Sequence, residues 1–225
     1  MSNNYTKQLK NLIQDDLRMP LFGVAKLENI TEYIQPELEP GAMHMKYAIV
    51  SGLEVSTSVT ETIVEIPTLI YKHHYAQLNY LLDRNALQIA HWIMEMGFHA
   101  IPIPASQILD FDKQLGHFSH RHAAVEAGIG WMGKNNLFIT SEYGAHQRII
   151  TILTDLPLEA GKPIENRCGD CRLCIEACPA NAISEEGYDF DACYKQLNKF
   201  RGIRGIGHHI CGFCIQPCKG TRNKI

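Results

Sequence analysis

Eight cysteines lie between residues 168 and 218, and the first 167 residues contain none. Cys168, Cys171, Cys174 and Cys178, followed by Pro179, read C-x2-C-x2-C-x3-C-P. Three thiolates at two-residue gaps can reach three iron corners of one iron–sulfur cube, while the fourth points to a different cluster. A second set, Cys211, Cys214 and Cys218, with Cys193 upstream, supplies the remaining ligands. Eight cysteines satisfy two [4Fe-4S] clusters with none left over. The crossing rule of two-cluster ferredoxins then assigns Cys168, Cys171, Cys174 and Cys218 to cluster one, and Cys178, Cys193, Cys211 and Cys214 to cluster two. Structural zinc takes two ligand pairs separated by a longer spacer, which this spacing does not provide. Disulfide scaffolds spread their cysteines through a short secreted chain, whereas these are confined to one end. Such clusters carry electrons and do little chemistry alone, so the rest of the chain must hold what they reduce.

A second motif stands upstream. Gly128, Gly130, Gly133 and Lys134 spell G-x-G-x-x-G-K, with Asp155 at the distance of a ribose-binding acid. A dinucleotide site needs a strand before the glycines and a helix after them. Here His122 to Ala127 is helical in character and Leu137 to Thr140 strand-like, so the order is inverted. A phosphate-binding loop also lacks its Ser or Thr, since Asn135 follows the lysine. What remains is a glycine-rich turn after a helix end, which lets the backbone approach a large flat ligand or a neighbouring unit.

The elements that must position these motifs follow from periodicity. Leu9, Leu12, Ile13 and Leu17 predict a first helix over Asn4 to Met19, stopped by Pro20. Leu21 to Leu27 and Tyr47 to Val55 read as strands, with a loop between them. After Pro67, the repeat of Leu78, Leu82, Ala86, Ile89, Ile93 and Met96 predicts one long helix ending at Gly97. His99 to Pro104 is expected to be extended, because each proline pushes the residue before it out of the helical region. Leu137 to Thr140 and Ile149 to Thr154 are strand-like, joined by a hairpin or a short crossover. Helices alternating with strands imply a mixed α/β domain over residues 1–160, followed by a small cysteine unit over 161–225.

Composition narrows the class. The chain has 225 residues, 45% hydrophobic and 20% charged, with a formal net charge of −3, close to the averages for globular proteins. From Gly161 onward ten Lys and Arg face seven Asp and Glu, so the small unit is mildly basic and the larger one acidic. Neither imbalance is the strong footprint of a protein that binds nucleic acid mainly through phosphates, although a local patch could touch RNA. No window approaches the roughly 18 apolar residues of a membrane span. The N-terminus, Met1 to Lys10, is polar without a signal-type apolar core, so the expected location is the cytoplasm with no membrane partner.

The combination of motifs resembles a known family. Arg121 to Leu158 (RHAAVEAGIGWMGKNNLFITSEYGAHQRIITILTDLPL), Cys168 to Ile183 (CGDCRLCIEACPANAI), the later DFDACYKQL and the CGFC pair are similar to the core of the epoxyqueuosine reductases. The same blocks resemble, more distantly, respiratory reductive dehalogenases. The resemblance implies a nitroreductase-like α/β domain of cobalamin-binding type, followed by a ferredoxin-like module whose two [4Fe-4S] clusters feed it electrons. It places Gly130, Trp131, Gly133, Lys134, Asn135 and Glu142 near a cobalamin, with Lys134 and Asn135 as hydrogen-bonding contacts. Where the family carries a catalytic aspartate ahead of the glycine block, this chain has Ile101 to Ser106 (IPIPAS), without an acid. The family's helical-repeat region associated with tRNA has no counterpart after Cys218, so tRNA is the less expected partner, though still an open one.

The expectation is therefore an iron–sulfur oxidoreductase that passes electrons to cobalamin and a small-molecule substrate, supplied by an external donor such as ferredoxin or flavodoxin. One alternative is an electron-transfer or corrinoid-reducing protein with no substrate turnover of its own. Another is a minimal tRNA epoxyqueuosine reductase. If a reduced intermediate must be protonated, His120 is the first candidate acid, with Tyr143 beyond the glycine block as the second. His117 and His122 stand beside His120 as weaker candidates.

Overall fold

Four strands build the main sheet in the computed structural model, which describes residues 2–221. Their order is β1 (Leu21–Lys26), β2 (Tyr47–Glu54), β6 (Gln147–Thr154) and β3 (Ala100–Ile103). β1 and β2 run antiparallel with Leu21 opposite Gly52 and Lys26 opposite Tyr47, and β3 and β6 run antiparallel with Ala100 opposite Thr154. The two central strands are buried almost continuously, Ala48 to Gly52 in β2 and Ile149 to Thr154 in β6. That is the pattern of strands covered on both faces, and it explains why their sequences are apolar runs and not alternations.

The helices supply the cover. α1 (Ser2–Asn11) passes into a wider π-type turn, Leu12–Asp16, in which the Leu17 N–H reaches back to the Leu12 carbonyl at 2.9 Å. One expected helix is thus two joined pieces. After a one-turn helix, α3 (Thr57–Thr60), comes α4 (Leu69–Glu95), the long helix that the apolar period predicts, and Gly97, at φ 84°, lies just beyond its end. Leu82, Ala86, Ile89 and Ile93 of α4 join Leu9, Ile13, Val24, Ile49, Ile150 and Ile152 in one core. Each fully buried Leu or Ile there contributes roughly 1.5–3 kcal/mol relative to exposure.

Two expectations need correction. The segment between β1 and β2 is not all loop, since Pro40 helps to start a one-turn helix, α2 (Glu39–Ala42). The strand-like runs after the glycine block form no hairpin with each other. β5 (Phe138–Ile139) pairs with β4 (Trp131–Met132) in a separate two-stranded sheet, while β6 joins the main one.

The compact units are each drawn from three stretches of chain. Among the described residues, unit one comprises those up to Leu53, Asn79–Trp131 and Arg148–Glu165; unit two comprises Glu54–Leu78, Met132–Gln147 and those from Asn166. The cysteine segment therefore packs with two stretches from the first 160 residues. In unit one, α5 (His120–Glu126) precedes the glycines and β4 follows them, the reverse of a dinucleotide site. Gly128, at φ 73°, has no room for a side chain because a Cβ would overlap the Lys162 carbonyl. Asp155 accepts from His99, at 2.7 Å from its backbone N–H and 2.8 Å from its Nδ1.

Candidate metal centre

All eight cysteines lie in unit two as free thiols. Local backbone chemistry sets their loops. Gly169, at φ 51°, turns the chain between Cys168 and Cys171, and the Cys171 N–H closes the turn on the Cys168 carbonyl at 3.1 Å. Cys174 sits in the one-turn helix α6 (Leu173–Glu176), and Cys178 follows it. Cys193 is on α7 (Phe190–Arg201), whose start is capped by Asp189 accepting from the Ala192 N–H at 3.0 Å. Gly212, at φ 89°, separates Cys211 from Cys214, and its missing side chain admits Ile63 and Tyr71.

The thiols act on one another in two groups. Burial pushes the Cys174 thiol up, and Cys168 and Cys171 add to it. Cys218 is pushed up to about 11 by burial and by Cys174, Cys168 and Cys171, against the Ala145 N–H, which lowers it. Cys193 is raised by burial and by Cys178, opposed by a hydrogen bond from Tyr188. Cys211 is raised to about 11 by burial, Cys193 and Cys178, and Cys214 is raised by burial, Cys211, Cys193 and Cys178, with a weaker contribution from Cys174. Apart from that last contact, Cys168, Cys171, Cys174 and Cys218 form one neighbourhood and Cys178, Cys193, Cys211 and Cys214 the other. Packed thiolates repel one another, and iron reverses the repulsion by binding them; the donor set therefore fits iron–sulfur clusters.

Side chains of the earlier stretches and of the cysteine segment tie these loops in place. Lys134 Nζ donates to the Cys171 carbonyl at 3.2 Å and pairs with Glu185 at 2.7 Å, and Glu185 also pairs with Arg172 at 2.9 Å. The Glu185 hydrogen bond raises the Lys134 pKa, so the ammonium stays charged. Asn135, buried, donates to the Cys214 carbonyl at 3.4 Å while its own oxygen accepts from the Leu137 N–H at 3.2 Å. His146, fully buried, donates from Nδ1 to the Cys218 carbonyl at 3.1 Å, and Nε2 meets Thr60 Oγ1 at 3.1 Å. Gln216 donates to the carbonyls of Thr60 and Ile63, both at 3.2 Å, and Lys219 pairs with Glu61 at 2.7 Å. Gly144, at φ 59°, lies so close to the Cys218 carbonyl that a Cβ would overlap it, and Gly220 packs equally closely against Glu142.

The other expected site residues divide between the units. Gly130 and Trp131 are buried in unit one; Gly133, Lys134, Asn135 and Glu142 belong to unit two, where Glu142 is exposed. Tyr143 is buried at 1% exposure, with its N–H donating to Thr140 Oγ1 at 3.1 Å, so its ring faces protein and not solvent. His120 lies in unit one, partly buried, with Nε2 donating to the Pro104 carbonyl at 3.1 Å and Nδ1 accepting from Thr151 Oγ1 at 2.8 Å. Burial, with Arg148 adding to it, lowers its pKa to about 4 against the Pro104 bond. The ring is neutral at pH 7 and both nitrogens are engaged. His122 stacks on Tyr33 at 3.8 Å between centroids and bonds Ser119 at 2.6 Å. The sequence reading missed His146, which reaches the Cys218 carbonyl, and the bond from Gln216 to the Thr60 carbonyl, because no motif marks contacts made through backbone carbonyls.

Residues 162–184 match the 4Fe-4S binding domain family. Epoxyqueuosine reductase of Bacillus cereus is 39% identical over 112 residues, covering 46% of this chain and 30% of that protein. Epoxyqueuosine reductase of Salmonella typhimurium is 30% identical over 204 residues, covering 83% of this chain and 50% of that protein. The chain is a relative of the epoxyqueuosine reductases. It spans about a third to a half of the length of these two relatives. Two solved structures share its fold. A catabolic reductive dehalogenase bound to 3-bromo-4-hydroxybenzoic acid has a TM-score of 0.78 at 20% identity, covering 97% of this chain and 32% of that one. An epoxyqueuosine reductase bound to an epoxyqueuosine-modified tRNA stem loop has a TM-score of 0.64 at 18% identity, covering 96% of this chain and 67% of that one. The fold is thus the mixed α/β architecture of these reductases with a ferredoxin-like cysteine region. Among the described residues no helix is long and apolar enough to cross a membrane.

Proposed function

We propose that the chain is an iron–sulfur reductase in which two [4Fe-4S] clusters, ligated by the two cysteine groups, pass electrons to a corrinoid and then to a small-molecule substrate. The observation that carries the cluster half is the division of eight thiols into two groups of four, which is the division that the crossing rule requires. When bound, the clusters supply one-electron transfer. The protein's own part is to hold the loops: Lys134, Asn135 and His146 fix the carbonyls of Cys171, Cys214 and Cys218.

The corrinoid half rests on the resemblance and on a relative's solved structure whose stated mechanism is B12-dependent dehalogenation. Two of the side chains expected to meet it also reach into the cysteine unit. Lys134 is held by Glu185 and Cys171, and Asn135 by Cys214 and Leu137. Both side chains thus tie the glycine turn to the cysteine loops. This favours, as a second reading, an electron-transfer protein that reduces a corrinoid or another acceptor without substrate turnover of its own.

Anaerobic reconstitution with iron, sulfide and hydroxocobalamin, followed by gel filtration and metal analysis, separates the readings. About eight irons per chain with one retained cobalt supports the reductase. About eight irons without cobalt favours the electron-transfer reading, and far fewer irons overturns the two-cluster scheme. Turnover of epoxyqueuosine-modified tRNA by the loaded protein would instead assign the activity that its relatives are named for.

A further inference from the structure

The stretch from Ala192 to Ile206 carries four cations, Lys195, Lys199, Arg201 and Arg204, and no acid, in a chain whose net charge is −3. All four are exposed, and none makes an ion pair among the described residues. Lys72 joins them, because its Nζ donates to the Gly205 carbonyl at 2.6 Å. Lys195 and Lys199 are one helical turn apart on α7 and therefore lie one above the other. Lys199 and Arg201 in the last turn complement the helix dipole, but that accounts for neither Lys195 nor Arg204 nor Lys72. The same helix begins with Phe190, 38% exposed and stacked on Tyr194 at 5.6 Å, so a small apolar surface adjoins the charge.

The position of this patch gives it a use. Cys193 is on α7, and a helix is only about 10 Å across. Lys195, Lys199 and Arg201 share that helix with Cys193 and thus stand roughly 10 Å from it. Encounters between redox proteins are small and weak, and opposite charges steer them. A basic surface beside an apolar spot, with Asp189 and Asp191 the only acids at the helix start, on the helix that carries Cys193, matches that kind of contact.

We propose that the basic surface of α7 and the turn after it is the docking site for an acidic electron-donor protein. This rests on the two-cluster reading above. In each encounter the donor, a small flavin or iron–sulfur protein, loses one electron, and cluster two gains it, passing from the 2+ to the 1+ state with no bond made or broken.

The test uses the reconstituted full chain and the triple variant K195E/K199E/R201E. Glutamate keeps the helix propensity, and the substituted side chains are all exposed. Iron per chain and photoreduction by a free deazaflavin show whether clusters are present and reducible without any protein donor. Stopped-flow mixing with a reduced acidic ferredoxin then gives the second-order rate of cluster reduction at low and high salt. The wild type is expected to slow at least ~10-fold between low and high salt, and the variant to lose at least ~10-fold at low salt and most of its salt dependence. Photoreduction is expected to be equal in both. Equal ferredoxin rates and salt dependence in the two proteins would overturn the docking site while leaving the clusters standing. A wild type that takes up no iron would overturn the two-cluster reading and the docking site with it. Unchanged donor kinetics with lost binding of an RNA stem loop would assign the patch to nucleic acid and refute the proposal.

Discussion

A general acid working near neutral pH needs a pKa near neutrality, and the surroundings of His120 give it one near 4. The dominant cause is burial; the Arg148 guanidinium adds to it, and the bond to the Pro104 carbonyl only partly offsets it. In the unfolded chain the ring titrates near 6.5. The folded protein therefore binds fewer protons than the unfolded one between about pH 6.5 and 4, and stability falls as pH drops through that window. At about 1.4 kcal/mol per tenfold change in proton affinity, the loss is at most about 3.5 kcal/mol, absent above about pH 6.5 and complete only below pH 4. The perturbation is His120→Gln, which keeps a donor for Pro104 and an acceptor for Thr151 but cannot titrate. Urea midpoints across that range are expected to fall more steeply with acid in the wild type than in the variant. Histidine-selective NMR provides the direct check, with the His120 resonance identified by its absence from the variant. A His120 titration at or above pH 6.5, or matching pH profiles in the two proteins, would refute the reasoning and restore the residue as a candidate acid.

Other outcomes follow from the metal centre. Cys171→Ser should reduce bound iron from about eight to about four per chain, since one cluster loses a ligand, as read by iron analysis and the visible spectrum. If all the iron remains, Cys171 is no ligand. Gly144→Ala forces a Cβ onto the Cys218 carbonyl at a φ of 59°, so cluster one should release its iron to a chelator faster than in the wild type. Unchanged release would show that the loop gives way cheaply. Lys134→Met removes both the Glu185 pair and the bond to the Cys171 carbonyl, and the potential of cluster one should fall with the lost positive charge. A redox titration followed by electron paramagnetic resonance reads that shift, and an unmoved potential would confine Lys134 to a structural role.

The cysteine motif was legible because its four thiols are close together in the chain, and residues 162–184 match the 4Fe-4S binding domain family. The long helix and the central strands were equally legible, since Leu82, Ile89 and Ile93 repeat at helical steps and Ile149 to Thr154 form an unbroken buried run. The π-type turn after Asn11 escaped notice because one extra residue in a helical turn leaves the apolar spacing nearly intact. The unit boundary was less legible for a different reason. Hydrophobic period reports what an element buries and not which neighbour buries it, so Glu54–Leu78 looked like part of the α/β domain although it packs with the cysteine segment. The roles of Lys134 and Asn135 turn on the same limit. A Gly-Lys-Asn turn that must approach something closely is visible in sequence, yet the partner here is the backbone of Cys171 and Cys214. Contacts to a carbonyl leave no trace in the identity of the residue contacted. His146 follows the same logic: its ring reaches the Cys218 carbonyl across 72 residues, and only the folded chain brings the two together.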